Sequence, residues 1–69
     1  MTQADQFRAD LCRRKIALCV RNARRHAHEA WNPENSPRER REFRRLAHES
    51  INGICGARWW KRELERATS

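Results

Sequence analysis

The chain contains few of the residues that interrupt helices. Only two glycines and two prolines occur among its 69 residues, too few for a disordered, low-complexity tail. It also has no long apolar run. The longest, Ile16 to Val20, is closed by Arg21, whereas a membrane-spanning helix needs roughly 18 apolar residues. The composition therefore predicts an all-α protein with no membrane segment.

Export signals and a complete set of cysteine pairs are also missing. The first residues, Met1 to Asp5, lack the basic and apolar regions of a signal peptide, so we expect a cytoplasmic protein. The three cysteines are an odd number and cannot all pair within one chain; they are Cys12, Cys19 and Cys55. In a reducing compartment they remain thiols, and we expect no obligatory disulfide.

The length and the net charge of the chain limit the classes of function and of partner that fit it. A chain of 69 residues forms one domain, 1–69, at most, which excludes a two-domain enzyme. Its 16 Lys and Arg against 9 Asp and Glu give a net charge of +7, so acidic partners are attracted whatever the fold. Two classes of partner fit this charge: nucleic acid, or a protein with an acidic surface.

The segment from Trp31 to Pro37 predicts the turn of a helical hairpin, because its two prolines and two asparagines interrupt periodic sequence. Ser36 and Glu39 are spaced as a capping box with Pro37 at the first helical position. We expect helix one over about 4–31, the turn over 32–36, and helix two over about 37–67. Gly53 and Gly56 predict a kink or a break into a third short helix at 53–56.

Apolar residues on both helices recur at helical spacing and predict the faces that pack together. The stripe on helix one contains Cys12, Ile16, Cys19, Val20, Ala23, Ala27, Ala30 and Trp31, and that on helix two contains Phe43, Leu46, Ala47, Ile51, Ile54, Ala57 and Leu64. Phe7, Leu11 and Leu18 lie on nearly the opposite side of helix one. Because a hairpin this small has a thin core, we expect these three residues to mediate self-association into a homodimeric helical bundle.

No residue pattern predicts catalysis or a cofactor. The chain has no Gly-rich phosphate loop, nucleophile elbow or His-Glu-x-x-His helix. Its cysteines and histidines include no Cys-x-x-Cys or His-x-x-x-His spacing, so small core cysteines and exposed histidines are favoured over a metal site. We expect a binding protein and not an enzyme.

Two groups of residues are candidates for contact with a partner. Trp59 and Trp60, with Arg58 and Arg62, combine the residue types most enriched at binding hot spots. Adjacent tryptophans diverge by about 100° on a helix, so we expect one to pack inward and one to contact the partner. The alternative is that both only close the end of the core. The second group, Arg40, Arg41, Arg44 and Arg45, suits nucleic-acid phosphates, although these arginines are interleaved with acids that would pair with them.

The segments from Phe43 to Ser50 and from Ala57 to Glu63, in a small Arg-rich helical hairpin, resemble early-gene products of temperate phages. More narrowly, the chain looks like the anti-activator class, which includes quorum-sensing anti-activators and short negative regulators of virulence activators. The resemblance covers about half of the chain. It implies a non-catalytic, phage-encoded protein, often dimeric, that binds a host transcription activator in the host cytoplasm and inhibits it. The charge of +7 departs from a DNA mimic, which would be acidic.

Together these observations favour a regulatory protein that inhibits a host protein by occlusion. The alternative is a small basic DNA- or RNA-binding regulator, which the salt dependence of binding would reveal.

Overall fold

The computed structural model describes residues 2–69, which form three helices in the order α1 (Gln3–Ala30), α2 (Pro37–Asn52) and α3 (Ala57–Thr68). α1 packs against both α2 and α3. The predicted hairpin is therefore confirmed, with its second arm bent into two helices. The Cα radius of gyration is 14.9 Å, against about 11 Å for a compact chain of this length. The molecule is an elongated rod of 50 × 15 × 11 Å.

Capping boxes define where α1 and α2 begin. The Thr2 hydroxyl accepts a hydrogen bond from Asp5 N–H, and the Asp5 carboxylate accepts one from Thr2 N–H, which starts α1 at Gln3. Ser36 and Glu39 form the predicted box before α2, with Pro37 in the first turn. Ser36 N–H and the Ser36 hydroxyl hold the pKa of the Glu39 carboxyl below its ordinary value. Both starts are thus set by interactions within four residues.

The turn between α1 and α2 is fixed by its asparagines. Asn32 accepts a hydrogen bond from Glu34 N–H through its side-chain oxygen, at 3.0 Å. The Asn35 side-chain amide donates to the backbone and side-chain oxygens of Glu29, each at 2.9 Å. These bonds satisfy polar groups that the end of α1 leaves free, so the turn holds the start of α2 in a defined place beside the end of α1.

The break at 53–56 depends on close backbone approach. Gly53 N–H donates to Glu49 O at 2.8 Å and Gly56 N–H donates to Gly53 O at 3.0 Å. A Cβ atom at Gly53 would lie 2.6 Å from Glu49 O, closer than atoms can approach. The left-handed residue is Cys55, with φ of 59°. Of the two predicted outcomes, a break into a third helix is the one observed.

The core is made of small side chains. The buried apolar residues among 2–69 are Ala9, Cys12, Ala30 and Ala57, and the largest fully buried side chain is that of Cys12. Most branched and aromatic residues of the predicted stripes, such as Ile16 and Phe43, are half-buried. Two stripe assignments are wrong: Trp31 is 83% exposed and Ile54 is 96% exposed. Both lie just beyond the end of a helix, where the helical periodicity no longer applies.

Candidate interaction surfaces

Trp59 and Trp60 form an edge-to-face pair near the start of α3. Their ring centroids are 4.8 Å apart with an interplanar angle of 88°, a favourable geometry for two aromatic rings. Lys15 from α1 places its Nζ 5.9 Å from the Trp60 ring centroid, within range of a cation–π contact. The expected division into one core and one exposed indole is not observed, because both rings are half-buried.

Two exposed cations accompany the tryptophan pair. Arg58 and Arg62 lie one helical turn apart on α3 and are both exposed. Neither forms an ion pair with another residue in the range 2–69. This end of the molecule therefore presents two available guanidinium groups beside partly accessible indole rings, which is the combination of groups that the sequence assigns to partner binding.

A buried acid joins α3 to the first turns of α1. Glu63 keeps only 11% of its side chain exposed, and its carboxylate accepts hydrogen bonds from Arg8 at 2.7 Å and Arg66 at 3.1 Å. The hydrogen bond to Glu63 and the charge of that carboxylate raise the pKa of the Arg8 guanidinium. Sequence reasoning missed this site because Arg8 and Glu63 are 55 positions apart. It fixes the position of α3 on α1.

The face predicted for self-association is accessible. Phe7 is 67% exposed and Leu18 is 45% exposed, while Leu11 between them is half-buried. Phe7 and Leu18 are eleven residues apart, close to three helical turns, so the three side chains lie along one line of α1. Neither α2 nor α3 covers this line completely. The structure thus leaves an apolar stripe on the outside of a very thin molecule.

The four candidate arginines of α2 differ in their availability. Arg45 donates to Glu42 and also to Glu49, so two carboxylates neutralise it. Arg45 lowers the pKa of Glu42, and both acids raise the pKa of Arg45. Arg40, Arg41 and Arg44 form no ion pair with another described residue. Three of the four are therefore free to contact an anion.

A cleft at the turn end of the hairpin combines Trp31, which the sequence assigns to the apolar stripe, with two of the four candidate arginines. It has a volume of about 100 Å³ and is lined by Ala30, Trp31, Arg40 and Arg44. The Nε atom of Arg40 is itself buried, and it has no hydrogen-bond partner among the described residues. Trp31 follows the last residue of α1, and its N–H donates to His28 O at 3.2 Å. The sequence did not indicate this cleft, because Trp31 was expected to pack inward as part of the apolar stripe.

A second depression lies at the break between α2 and α3. It is open, has a volume of about 390 Å³, and is lined by Glu49, Gly53 and Ile54. Cys55 in this segment is exposed, and its carbonyl accepts a hydrogen bond from the Cys19 thiol at 3.7 Å.

Within residues 2–69, no three His, Cys, Asp or Glu side chains come together as a metal site would require. None of the described helices is both long and apolar enough to cross a bilayer.

Comparison of the chain with protein-family models, with curated proteins and with solved structures finds no match.

Proposed function

We propose that this protein is a small non-enzymatic regulator that works as a homodimer and inhibits a host protein by occlusion. The observation that carries the proposal is the distribution of apolar side chains. No Leu, Ile, Val, Phe or Trp is buried among the described residues, and Phe7, Leu18, Trp31 and Ile54 are exposed. Surface apolar groups in a chain with so small a core indicate association with another chain.

The stripe on α1 suits an antiparallel pairing with a second copy. When two α1 helices pack about a two-fold axis between positions 12 and 13, Phe7 of one copy lies opposite Leu18 of the other. Leu11 then lies opposite Arg14, whose methylene groups can cover it while the guanidinium stays in water. A parallel pairing would instead bring the two Arg14 side chains together. Charge repulsion therefore favours the antiparallel bundle.

The surface proposed for the target protein is the start of α3. Arg58 and Arg62 are exposed and form no ion pair with another described residue, and Trp59 and Trp60 stack edge to face beside them. Tryptophan has only two side-chain torsions and therefore loses little conformational entropy on binding, and both tryptophan and arginine are enriched at binding hot spots. The net charge of +7 favours an acidic surface on the target. The resemblance to phage anti-activators suggests a transcription activator, such as a quorum-sensing regulator, in the host cytoplasm.

Affinity capture from bacterial lysate, with and without nuclease, tests this function. We expect the same host protein to be recovered stoichiometrically in both samples. Capture should be lost with an Arg58→Gln, Arg62→Gln double variant and kept with the matched Arg21→Gln, Arg24→Gln variant, which removes the same charge from exposed positions of α1. Purified protein should then prevent the captured activator from binding DNA. Two results would contradict the proposal. One is that the host protein is recovered only from lysate that has not been treated with nuclease. The other is that the Arg58→Gln, Arg62→Gln double variant captures the host protein as well as the parent does.

Single substitutions identify which indole contributes to binding. Alanine at Trp59 or Trp60 should weaken target binding by more than about 2 kcal/mol where that ring is a hot spot. Because both rings are half-buried, each variant is first compared with the parent protein by thermal unfolding. Equal target affinity of both folded variants would remove the tryptophans from the contact surface.

A second candidate function is a small basic nucleic-acid-binding regulator. Its support is the availability of Arg40, Arg41 and Arg44, which no carboxylate of the described residues neutralises. Binding would then weaken steeply as salt rises, because each neutralised phosphate releases counterions.

A further inference from the structure

We propose that the cleft lined by Trp31, Arg40 and Arg44 binds one nucleotide unit of single-stranded nucleic acid, with the base stacked on Trp31 and the phosphate held by the two arginines. This inference rests on the second candidate function. It adds the kind of strand, the residue that stacks on the base and the residues that hold the phosphate.

Two guanidinium groups without ion pairs belong to the cleft. Arg40 and Arg44 line it, and neither forms an ion pair with another described residue. No carboxylate lines the cleft. Arg40 and Arg44 are one helical turn apart on α2 and line the same cleft, and a guanidinium group can bind phosphate oxygens in a bidentate manner.

Trp31 is 83% exposed, far more than Trp59 or Trp60, which are half-buried. An exposed flat ring beside a positively charged groove is the arrangement that binds unpaired bases, because any base can stack on it. Bases in a duplex are already stacked on one another, so this ring selects a single strand. The charge of +7 matches a polyanion.

Hydrogen bonds fix the backbone segments that carry the cleft residues. Trp31 N–H is bonded to His28 O, and the turn that follows is tied to Glu29 by Asn32 N–H and by the Asn35 side chain. Ser36 and Glu39 then fix the start of the helix that carries Arg40 and Arg44. The ring and the two arginines therefore come from segments that are held in place before a ligand binds, which reduces the entropy lost on binding.

Titration of fluorescently labelled oligothymidine, followed by anisotropy, tests the site. The parent protein should bind the single strand more tightly than a duplex of the same length. Trp31→Ala should weaken binding at least about fivefold, and Trp31→Phe, which keeps a ring, should restore most of it. Arg40→Gln and Arg44→Gln should each weaken binding and lower the slope of log affinity against log salt by about 0.7. The matched control is Arg21→Gln, at an exposed position of α1, which should bind nearly as the parent does.

Each contrary result has a distinct meaning. If the parent protein binds oligothymidine but Trp31→Ala binds equally well, or Arg21→Gln loses as much affinity as Arg40→Gln, the cleft is not the site, although nucleic-acid binding stands. If the duplex binds as tightly as the single strand, the stacking mode is wrong. If a polyglutamate peptide displaces the oligonucleotide and depends equally on Trp31, the cleft is an acidic-protein site and the inference is overturned. If neither nucleic acid binds at low salt, the second candidate function falls too.

Discussion

Replacement of Gly53 by alanine should destabilise the protein, although the same change inside a helix would stabilise it. A Cβ atom at Gly53 would lie 2.6 Å from Glu49 O and 3.1 Å from Glu49 Cα. Both are backbone atoms, so no side-chain rotation relieves the contact. Overpacking of this kind costs about 1–3 kcal/mol. In a continuous helix over 37–67, alanine would instead contribute about 1 kcal/mol of stability relative to glycine.

The two alternatives therefore predict opposite signs. For a domain of this size, each kcal/mol shifts Tm by roughly 4–8 °C, so Gly53→Ala should lower Tm by at least about 4 °C. Thermal unfolding followed by circular dichroism, at one fixed protein concentration, measures this shift. Gly56→Ala should act in the same direction, because its Cβ would lie 2.9 Å from Glu49 O.

The matched control is His48→Ala, at an exposed position inside α2. Alanine has the higher helix propensity, so this variant should keep or raise Tm. A rise in both Tm and helical signal for Gly53→Ala would show instead that residues 37–67 form one continuous helix without the break at 53–56.

Further predictions concern the caps and the ion pairs. Ser36→Ala should reduce the free energy of unfolding by about 1 kcal/mol, because it removes the oxygen that accepts Glu39 N–H; an unchanged denaturation midpoint would contradict this. Glu63→Gln should lower Tm. In a double-mutant cycle with Arg8→Gln, the two losses of stability should be non-additive, because the side chains are hydrogen-bonded to each other. Additive losses would show that this bond contributes nothing to stability. The pKa values of Glu39 and Glu42 lie below the ordinary value of 4.5, so their contribution is present above about pH 4.5 and is lost as pH falls through the lower folded-state values. Tm should therefore drop on acidification, and the drop should be smaller in a Glu39→Gln, Glu42→Gln variant; an equal drop would place the acid sensitivity elsewhere.

The helices could be predicted from the sequence because their limits depend on local interactions. Ser36, Pro37 and Glu39 are neighbours in the chain, and the bonds that begin α2 join only these positions. The break at 53–56 was also predictable as a place, since two glycines stand there. Its form was not, because it depends on how closely Gly53 approaches the carbonyl of Glu49.

The candidate sites were less predictable, for two physical reasons. Helical periodicity assigns a face to a residue only while the helix continues. Trp31 and Ile54 fit an apolar stripe, but each follows a helix end and is exposed. The burial of Glu63 depends on Arg8, which lies at the far end of the chain, and a single sequence carries no sign of such a pair. On a helical wheel of α3, Glu63 lies on the same side as Trp60, and its ion pairs with Arg8 and Arg66 compensate the burial of its charge.

In the proposed homodimer, the exposed apolar stripe on α1 pairs with the same stripe of a second copy of the chain. Sedimentation velocity at tens of micromolar measures whether this dimer forms. The experiment compares the parent protein with Leu18→Lys and with a matched control, Ala17→Lys. The control adds the same charge at the neighbouring exposed position. We expect a dimer for the parent and for Ala17→Lys, and a monomer for Leu18→Lys, because a lysine opposite Phe7 disrupts the apolar contact. An 8.3 kDa monomer for the parent chain, or a dimer unaffected by Leu18→Lys, would contradict the account.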